Sequence, residues 1–491
     1  ELEKAARQLC ARMVAPGQFY LVRWGGTRKG AGTFYTRPQL AAPTVRRTLQ
    51  PLAYDPVRME KDPRTGLDTV VEWVPKKPEQ ILALKVCDPA MGSGSFLASA
   101  LRFLTEALTQ SLFHHKLIER SEDGGVPRMA DGRLAELLSD ELTKLNPSDE
   151  GFEEALRAQL KRHIVENCLY GVDLDPLAVE LGRMALWVET MDRDLPFGFL
   201  DHKLKVGNAL VGAWFDTYRD YPAMAWEREG GDKDYQKNKS DNLINHWYKD
   251  ASGKRKGDVF TDAIKARAKA VPEQLRAMLS GQLMLGSELE AANVHDELLK
   301  VFRKLHRLPV HESEKRAELY RQEVLNNPHY HALKARMDLW CALWFWPGDK
   351  IELAPLPQEF ANPGEQAMAI AAEVARRQRF FHWELEFPDV FTAEREGFDA
   401  LLGNPPWEIQ KPNSKEFFSN HDPLYRAYGK QDALAKQLEY FRAWPQLEHD
   451  WIAYNANLKS MSNWAKYVGK PFGDRVLEDK SGNKKHDLNL G

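Results

Sequence analysis

Apolar residues between positions 81 and 108 change their period once. Ile81, Leu82, Leu84 and Val86 form a short apolar run ending in Asp88; beyond the turn Pro89-Ala90-Met91-Gly92-Ser93-Gly94, with Phe96 following, Leu97, Leu101, Leu104 and Leu108 recur at helical spacing. The pattern predicts a strand, a glycine turn and a helix. Gly92 and Gly94 can take positive φ and admit a ligand close to the backbone, beside the N–H groups that open the helix. The alternation returns where the apolar run 169–173 meets Asp175 and Pro176, a helix cap and first helical position. Leu177, Leu181, Met184, Ala185 and Val188 then form one apolar helix face. With Asp175 capping, Asp173 is left to accept hydrogen bonds from a ribose. A third short strand, 204–206, runs into Gly207, Asn208 and Ala209. Strand ends carrying a glycine turn, an acid and an Asn, separated by helices, describe an open, doubly wound parallel α/β sheet with an adenosine-type ligand across its carboxyl edge.

Elsewhere the pattern is mostly helical. A short helical pattern (Leu9, Met13) precedes a glycine loop that runs through Phe34, Tyr35, Thr36 and Arg37 to Pro38, before a helix carrying Val45, Leu49 and Leu52. The Tyr35 and Thr36 hydroxyls can cap that helix or reach a ligand at the Gly92 turn. Residues 109–165 are helical in pattern with a Gly/Asp-rich break at 121–132. Past 213 the strand–helix alternation stops: polar loops at 232–242 and 253–257 lead into helices bearing Val294, Leu298, Phe302 and Leu305. The run 339–346, with three tryptophans, is too apolar for a surface and predicts a core helix ending at Pro347. This stretch is a helical insertion; its charges (Lys254, Arg255, Lys256, Arg303, Lys304, Arg307) argue only weakly for DNA. Residues 412–491 read as polar and helical, with Leu434, Leu438 and Phe441 on one face and no strand. The remaining strands of the sheet and a target-recognition domain are therefore expected outside this chain.

One strand ends in distinctive chemistry. Residues 398–402 run through Gly403 into Asn404-Pro405-Pro406-Trp407. Two consecutive prolines fix φ and supply no N–H, so the turn is rigid and presents acceptors without local donors. The Asn404 side-chain oxygen and the Pro405 carbonyl can accept both hydrogens of one amino group. Trp407 offers a flat face for a planar ring, an interaction worth about 1–3 kcal/mol per base. An amine on an aromatic ring is a poor nucleophile, and two acceptors that hold it pyramidal favour attack.

Composition narrows the partners. The formal net charge of the 491 residues is −3, so no global basic field advertises nucleic acid and any such contact is local. Four scattered cysteines (Cys10, Cys87, Cys168, Cys341) show no metal-binding spacing and fit reduced thiols in a cytoplasmic protein. No metal is called for. No apolar run is long enough for a membrane span.

The motifs DPAMGSGSFL, GVDLDP, GNAL and GNPPW, preceded by the FYT loop, resemble those of S-adenosylmethionine-dependent DNA adenine N6-methyltransferases. The large single-chain methylases of restriction-modification and phage-defence systems are the nearest likeness, helped by Glu386-Phe387-Pro388-Asp389-Val390-Phe391 before the catalytic strand. The resemblance implies a Rossmann-like class I methyltransferase sheet with a helical N-terminal segment and a large helical insertion. It divides the chain into an N-terminal segment with the FYT loop (1–80), a cofactor-binding core (81–212), the insertion (213–380), the catalytic strand and NPPW turn (381–411) and a helical segment leading to the rest of the methylase (412–491). Phe34, Tyr35, Thr36 and the Asp88, Pro89, Ala90, Gly92, Ser93, Gly94 and Phe96 region would hold the methionine end of S-adenosylmethionine. Asp173 would take the ribose hydroxyls, Leu174 would pack on the adenine, and Asn208 with Ala209 stands where the family often has an acid meeting the adenine amino group. Asn404 and Pro405, followed by Pro406, would bind the target amine, with Trp407 replacing the commoner Tyr. The implied reaction is direct methyl transfer to N6 of an adenine flipped out of double-stranded DNA. Implied partners are that DNA and the remainder of the methylase or another defence-system subunit, with no membrane. An RNA or protein amine methyltransferase, and a cofactor-sensing non-catalytic subunit, are the alternatives.

Overall fold

The computed structural model describes residues 35–61, 64, 66, 68–117, 152–190, 200–228, 258–279, 287–309, 312–406, 412–422 and 424–468. Phe34, Trp407, Cys10, the Leu9 and Met13 pattern, the 121–132 break, the 232–242 and 253–257 loops with Lys254, Arg255 and Lys256, and residues 469–491 lie outside them.

Helix α1 (Pro38–Ala53) opens on a proline after the extended Arg37 and buries Val45 and Leu49. An antiparallel hairpin follows, β1 (Tyr54–Lys61) with β2 (Asp68–Pro75), within the N-terminal segment that the resemblance implied to be helical. Most of its side chains are exposed, so no alternation marked it. A short helix α2 (Pro78–Leu82) then takes up Ile81 and Leu82, which the sequence pattern assigned to a strand. Pro78 starts it, and the Gln80 side chain accepts the Lys77 N–H at 3.2 Å. Strand β3 is therefore only Val86–Asp88.

After α3 (Ser95–His114) and α4 (Phe152–Cys168) come β4 (Leu169–Asp173), α5 (Pro176–Thr190) and β5 (Leu204–Val206). A small hairpin, β6 (Phe391–Thr392) with β7 (Arg395–Glu396), precedes β8 (Ala400–Leu401). Strands β5-β4-β3-β8 lie in that order and every pairing is parallel. This is an α/β sheet whose connections are helical, as the alternation predicted. One face packs Val86, Leu169, Leu204 and Ala400 against α1, α3 and α4, where Leu97, Leu101, Leu104 and Leu108 are all buried.

The apolar face read on helix α5 is turned outward. Its buried residues are Ala178, Val179, Gly182, Leu186 and Thr190, whereas Leu177, Leu181, Met184 and Val188 are exposed and Ala185 is half-buried. Gly182 supplies the reason: its Cα would stand 3.4 Å from a Cβ placed on Gly94, so α5 lies with Gly182 against the glycine turn and with Leu177, Leu181, Met184 and Val188 outward.

The other sheet face places Cys87, Tyr170 and Val172 against Phe381, Phe387 and Val390. Behind it stands the insertion: α6 (Asp258–Leu279), α7 (Ser287–Arg307), α8 (Ser313–Tyr320), α9 (Pro328–Trp344) and α10 (Glu365–Gln378). Its core holds Val294, Leu298, Phe302, Leu305 and all of 339–346, joined by Trp464 of a later helix. That later region comprises α11 (Trp383–Glu386), α12 (Ser414–Ser419), α13 (Lys430–Ala443) and α14 (Pro445–Tyr467).

Buried ion pairs lock the 386–391 segment and the insertion to the β5 edge. Lys203 meets Asp389 at 3.1 Å and the Tyr170 hydroxyl at 2.7 Å, and Lys205 meets Glu386 at 2.8 Å. The acids of the 386–391 motif are thus counter-ions for two buried lysines, which is what makes those lysines tolerable there. Glu166, at the end of α4, accepts from His202 at 2.9 Å and from Arg316 of α8. Burial alone would raise the Glu166 carboxyl, but His202 and the Arg316 guanidinium hold it well below the usual range. Glu166, His202 and His306 sit close enough to suggest a metal cluster. Arg316 on Glu166, and Lys203 at 3.4 Å from His306 Nε2, already fill it with the protein's own cations.

Candidate active site

The glycine turn is folded onto β4. Met91 N–H donates to the Val172 carbonyl at 3.1 Å, and Gly94 N–H to the Met91 carbonyl at 2.8 Å. Gly92 and Gly94 have φ of +52° and +82°, a region where side chains are strained. The Met91 side chain is buried over Gly171, where an added Cβ would fall 2.3 Å from its sulfur. On the opposite side, a Cβ on Gly92 would meet nothing within 4 Å. The turn is thus a cradle that lets a group approach the backbone closely at the carboxyl edge. Ser93 and Ala90 are half-buried beside it, and Phe96 is buried in the core beneath.

Asp173 is more engaged than the sequence suggested. Its Oδ2 accepts Gly92 N–H at 2.8 Å and its Oδ1 accepts Asp175 N–H at 2.8 Å, so it clamps the glycine turn. Each carboxylate oxygen retains a second lone pair, and the half-buried side chain can still accept from a hydroxyl. Asp175 caps α5 through Leu177 N–H at 3.0 Å. Leu174 is 51% exposed at the same edge. Asn208 Oδ1 closes a turn on Leu210 N–H at 3.1 Å, and Ala209 is half-buried with its carbonyl accepting from Trp383 Nε1 at 3.1 Å.

Asp88 lies beneath these groups. It is 1% exposed and its Oδ1 accepts Ala90 N–H at 3.1 Å. Burial pushes its carboxyl up to about 7, with Asp173 adding to the effect. Asp88 supports the turn from inside.

Strand β8 is held in register by Asp399, which accepts Lys85 N–H at 2.7 Å through its side chain and donates its own N–H to the Lys85 carbonyl at 2.8 Å. Leu402 N–H donates to Cys87 O at 2.8 Å. Gly403 passes directly over Asp88: a Cβ there would lie 2.8 Å from Asp88 Oδ1. Asn404 follows, half-buried, with Nδ2 donating to Thr36 Oγ1 at 3.3 Å. Pro405 and Pro406 are exposed. Thr36 of the N-terminal loop, the Gly92 turn and the Asn404 turn are thereby brought to one edge by adjacent strands. Tyr35 is 62% exposed, and Phe34 and Trp407 lie outside the described residues.

Beside this edge is a cavity of about 400 Å³, on the face carrying Leu401. Pro89, Ala209 and Leu401 form its sheet side, and Trp214, Trp340, Trp383, Phe391, Phe398 and Trp464 its aromatic walls. Three tryptophan N–H groups are tied to carbonyls: Trp383 to Ala209, Trp464 to Leu210 at 2.9 Å and Trp340 to Asp220 at 2.8 Å. The sequence reading missed these residues as a site. They come from segments far apart along the chain, and the tryptophan-rich run read as core.

Residues 313–441, which include β8 and Asn404, match the family described as Eco57I restriction-modification methylase. A protein of Methanocaldococcus jannaschii named as a type II restriction enzyme and methyltransferase is 22% identical over 434 residues, covering 80% of this chain and 30% of its own length. The chain thus spans about a third of the length of that relative. No solved structure matches significantly. Together the two matches bear out the resemblance carried by the motifs: the chain resembles the methylases of restriction-modification systems.

Proposed function

We propose that this chain is the cofactor-binding and catalytic part of a DNA adenine N6-methyltransferase of a restriction-modification or phage-defence system, with a Rossmann-like class I sheet. The observation that carries the reading is the placement of the open Gly92 turn and the Asn404-Pro405-Pro406 turn at the carboxyl ends of neighbouring parallel strands, β3 and β8.

S-adenosylmethionine, when bound, supplies an electrophilic sulfonium methyl. The Gly92 turn would receive its methionine end, Asp173 its ribose hydroxyls, and Leu174 with Asn208 and Ala209 its adenine. The Asn404 Oδ1 and Pro405 carbonyl would accept the two hydrogens of the target amine and direct its lone pair toward the cofactor. The aromatic cavity has the size and lining to take a flipped planar base, each stacked ring contributing about 1–3 kcal/mol. Holding donor and acceptor at one edge supplies rate through proximity and orientation.

Transfer of radiolabelled methyl from S-adenosylmethionine to DNA, RNA and protein, followed by nucleoside analysis, tests this reading. Label in N6-methyladenine of DNA that disappears in Asn404→Ala supports it. Label in RNA or protein, or full activity in Asn404→Ala, overturns it.

A further inference from the structure

Arg379 is the residue by which the insertion returns to the sheet. It follows α10 with a left-handed backbone, φ +56°, unusual for a residue with a side chain. Its carbonyl accepts Asn208 N–H at 2.7 Å, and the next residue, Phe380, pairs with Asn208 as a parallel bridge. Its guanidinium reaches the other way and donates from one terminal nitrogen to the Leu174 carbonyl. One half-buried residue therefore spans the ends of β4 and β5, touching both segments that flank the adenosine position.

We infer that Arg379 is a binding residue for the adenosine half of the cofactor. The inference rests on the function proposed above and adds to it a residue from the insertion. A guanidinium carries five N–H donors in one plane, so the bond to Leu174 leaves donors and a flat surface to offer a ligand. Adenine presents ring-nitrogen acceptors and a π-face, the two features such a group recognises. Asn208, whose oxygen accepts Leu210 N–H, still offers its amide NH2, and the guanidinium adds a charged planar group beside it. The left-handed backbone is that of a helix end, with Arg379 N–H donating to the Ala375 carbonyl at 2.7 Å, so the turn that returns the chain to the sheet fixes this residue at the strand ends.

The test uses the full chain and isothermal titration with S-adenosylhomocysteine, with unliganded melting and steady-state methyl transfer alongside. Arg379→Gly suits the left-handed φ, so this variant is expected to melt no lower than the parent while binding S-adenosylhomocysteine at least about tenfold more weakly. The KM for S-adenosylmethionine rises correspondingly and kcat at saturation stays within about twofold of the parent. Arg379→Lys, which keeps the charge without the planar fork, is expected to restore binding only in part. Parental affinity in Arg379→Gly overturns the inference while leaving the proposed function intact. A fall in kcat without a change in affinity also overturns it. Failure of the parent chain to bind S-adenosylhomocysteine overturns the proposed function itself.

Discussion

Asn404 Nδ2 donates to Thr36 Oγ1, joining the turn after β8 to the loop before α1 across 368 positions of sequence. The contact orients the amide with its nitrogen toward the loop. Thr36→Val removes the acceptor at nearly constant volume. Loss of one neutral hydrogen bond is worth about 1 kcal/mol, so kcat should fall roughly five- to tenfold with little change in cofactor KM. Single-turnover methyl transfer checks this, and an unchanged rate in Thr36→Val would show that Thr36 does not position Asn404.

Gly403 and Gly171 are constrained by what they touch. A Cβ on Gly403 would sit 2.8 Å from Asp88 Oδ1, and one on Gly171 2.3 Å from Met91 Sδ and 2.9 Å from Leu97 Cδ1. Gly403→Ala and Gly171→Ala should each destabilise by about 1–3 kcal/mol, with Gly171→Ala the worse because three buried side chains must move. Urea unfolding of both variants measures the order.

Asp88 gives stability a slope in pH. Its carboxyl is pushed up to about 7 from an ordinary 3.8, mainly by burial. A raised folded value means the contribution is complete below the unfolded value and is lost as pH rises through 7, a difference of about 4 kcal/mol. Asp88→Asn should flatten the unfolding midpoint between pH 4 and 7. In stronger acid the sign reverses. Burial would raise Glu386, but Lys205 and Lys334 outweigh it and lower the carboxyl to about 2, so its contribution is lost as pH falls from 4.5 toward 2.

Arg316 is 1% exposed and reaches Glu166 as well as the carbonyls of Leu305 and Leu308. Arg316→Met would strand a buried carboxylate and two carbonyls, and should cost about 3–5 kcal/mol. Chemical denaturation of this variant is the measurement, and a loss below about 1 kcal/mol would show that Glu166 is held by His202 alone.

Features with local grammar were legible in the sequence. Gly92 and Gly94 take positive φ as their turn required, Asp175 and Pro176 spelled a helix start, and the apolar run before Asn404 marked a strand. What stayed hidden depends on partners far along the chain. Lys203 and Lys205 look like a polar strand end until Asp389 and Glu386 arrive more than 180 positions later. The outward turn of the α5 apolar face was not legible because periodicity reports which residues share a face and says nothing of which way it turns; Gly182 against Gly94 decides that. Arg379 gave no signal, since its significance lies in a backbone twist and in two strand ends it touches.

The bridge between Asn208 and Phe380 has one more consequence. The chain leaves the sheet at the first residue and rejoins it beside that same point at the second. The described helices between them are anchored there at both ends of the segment, and Arg316 on Glu166 and His306 beside Lys203 fasten them to the same sheet edge again. The helical body is therefore a wall of the strand edge rather than an appendage to it, since it contributes Trp214 and Trp340 to the cavity there.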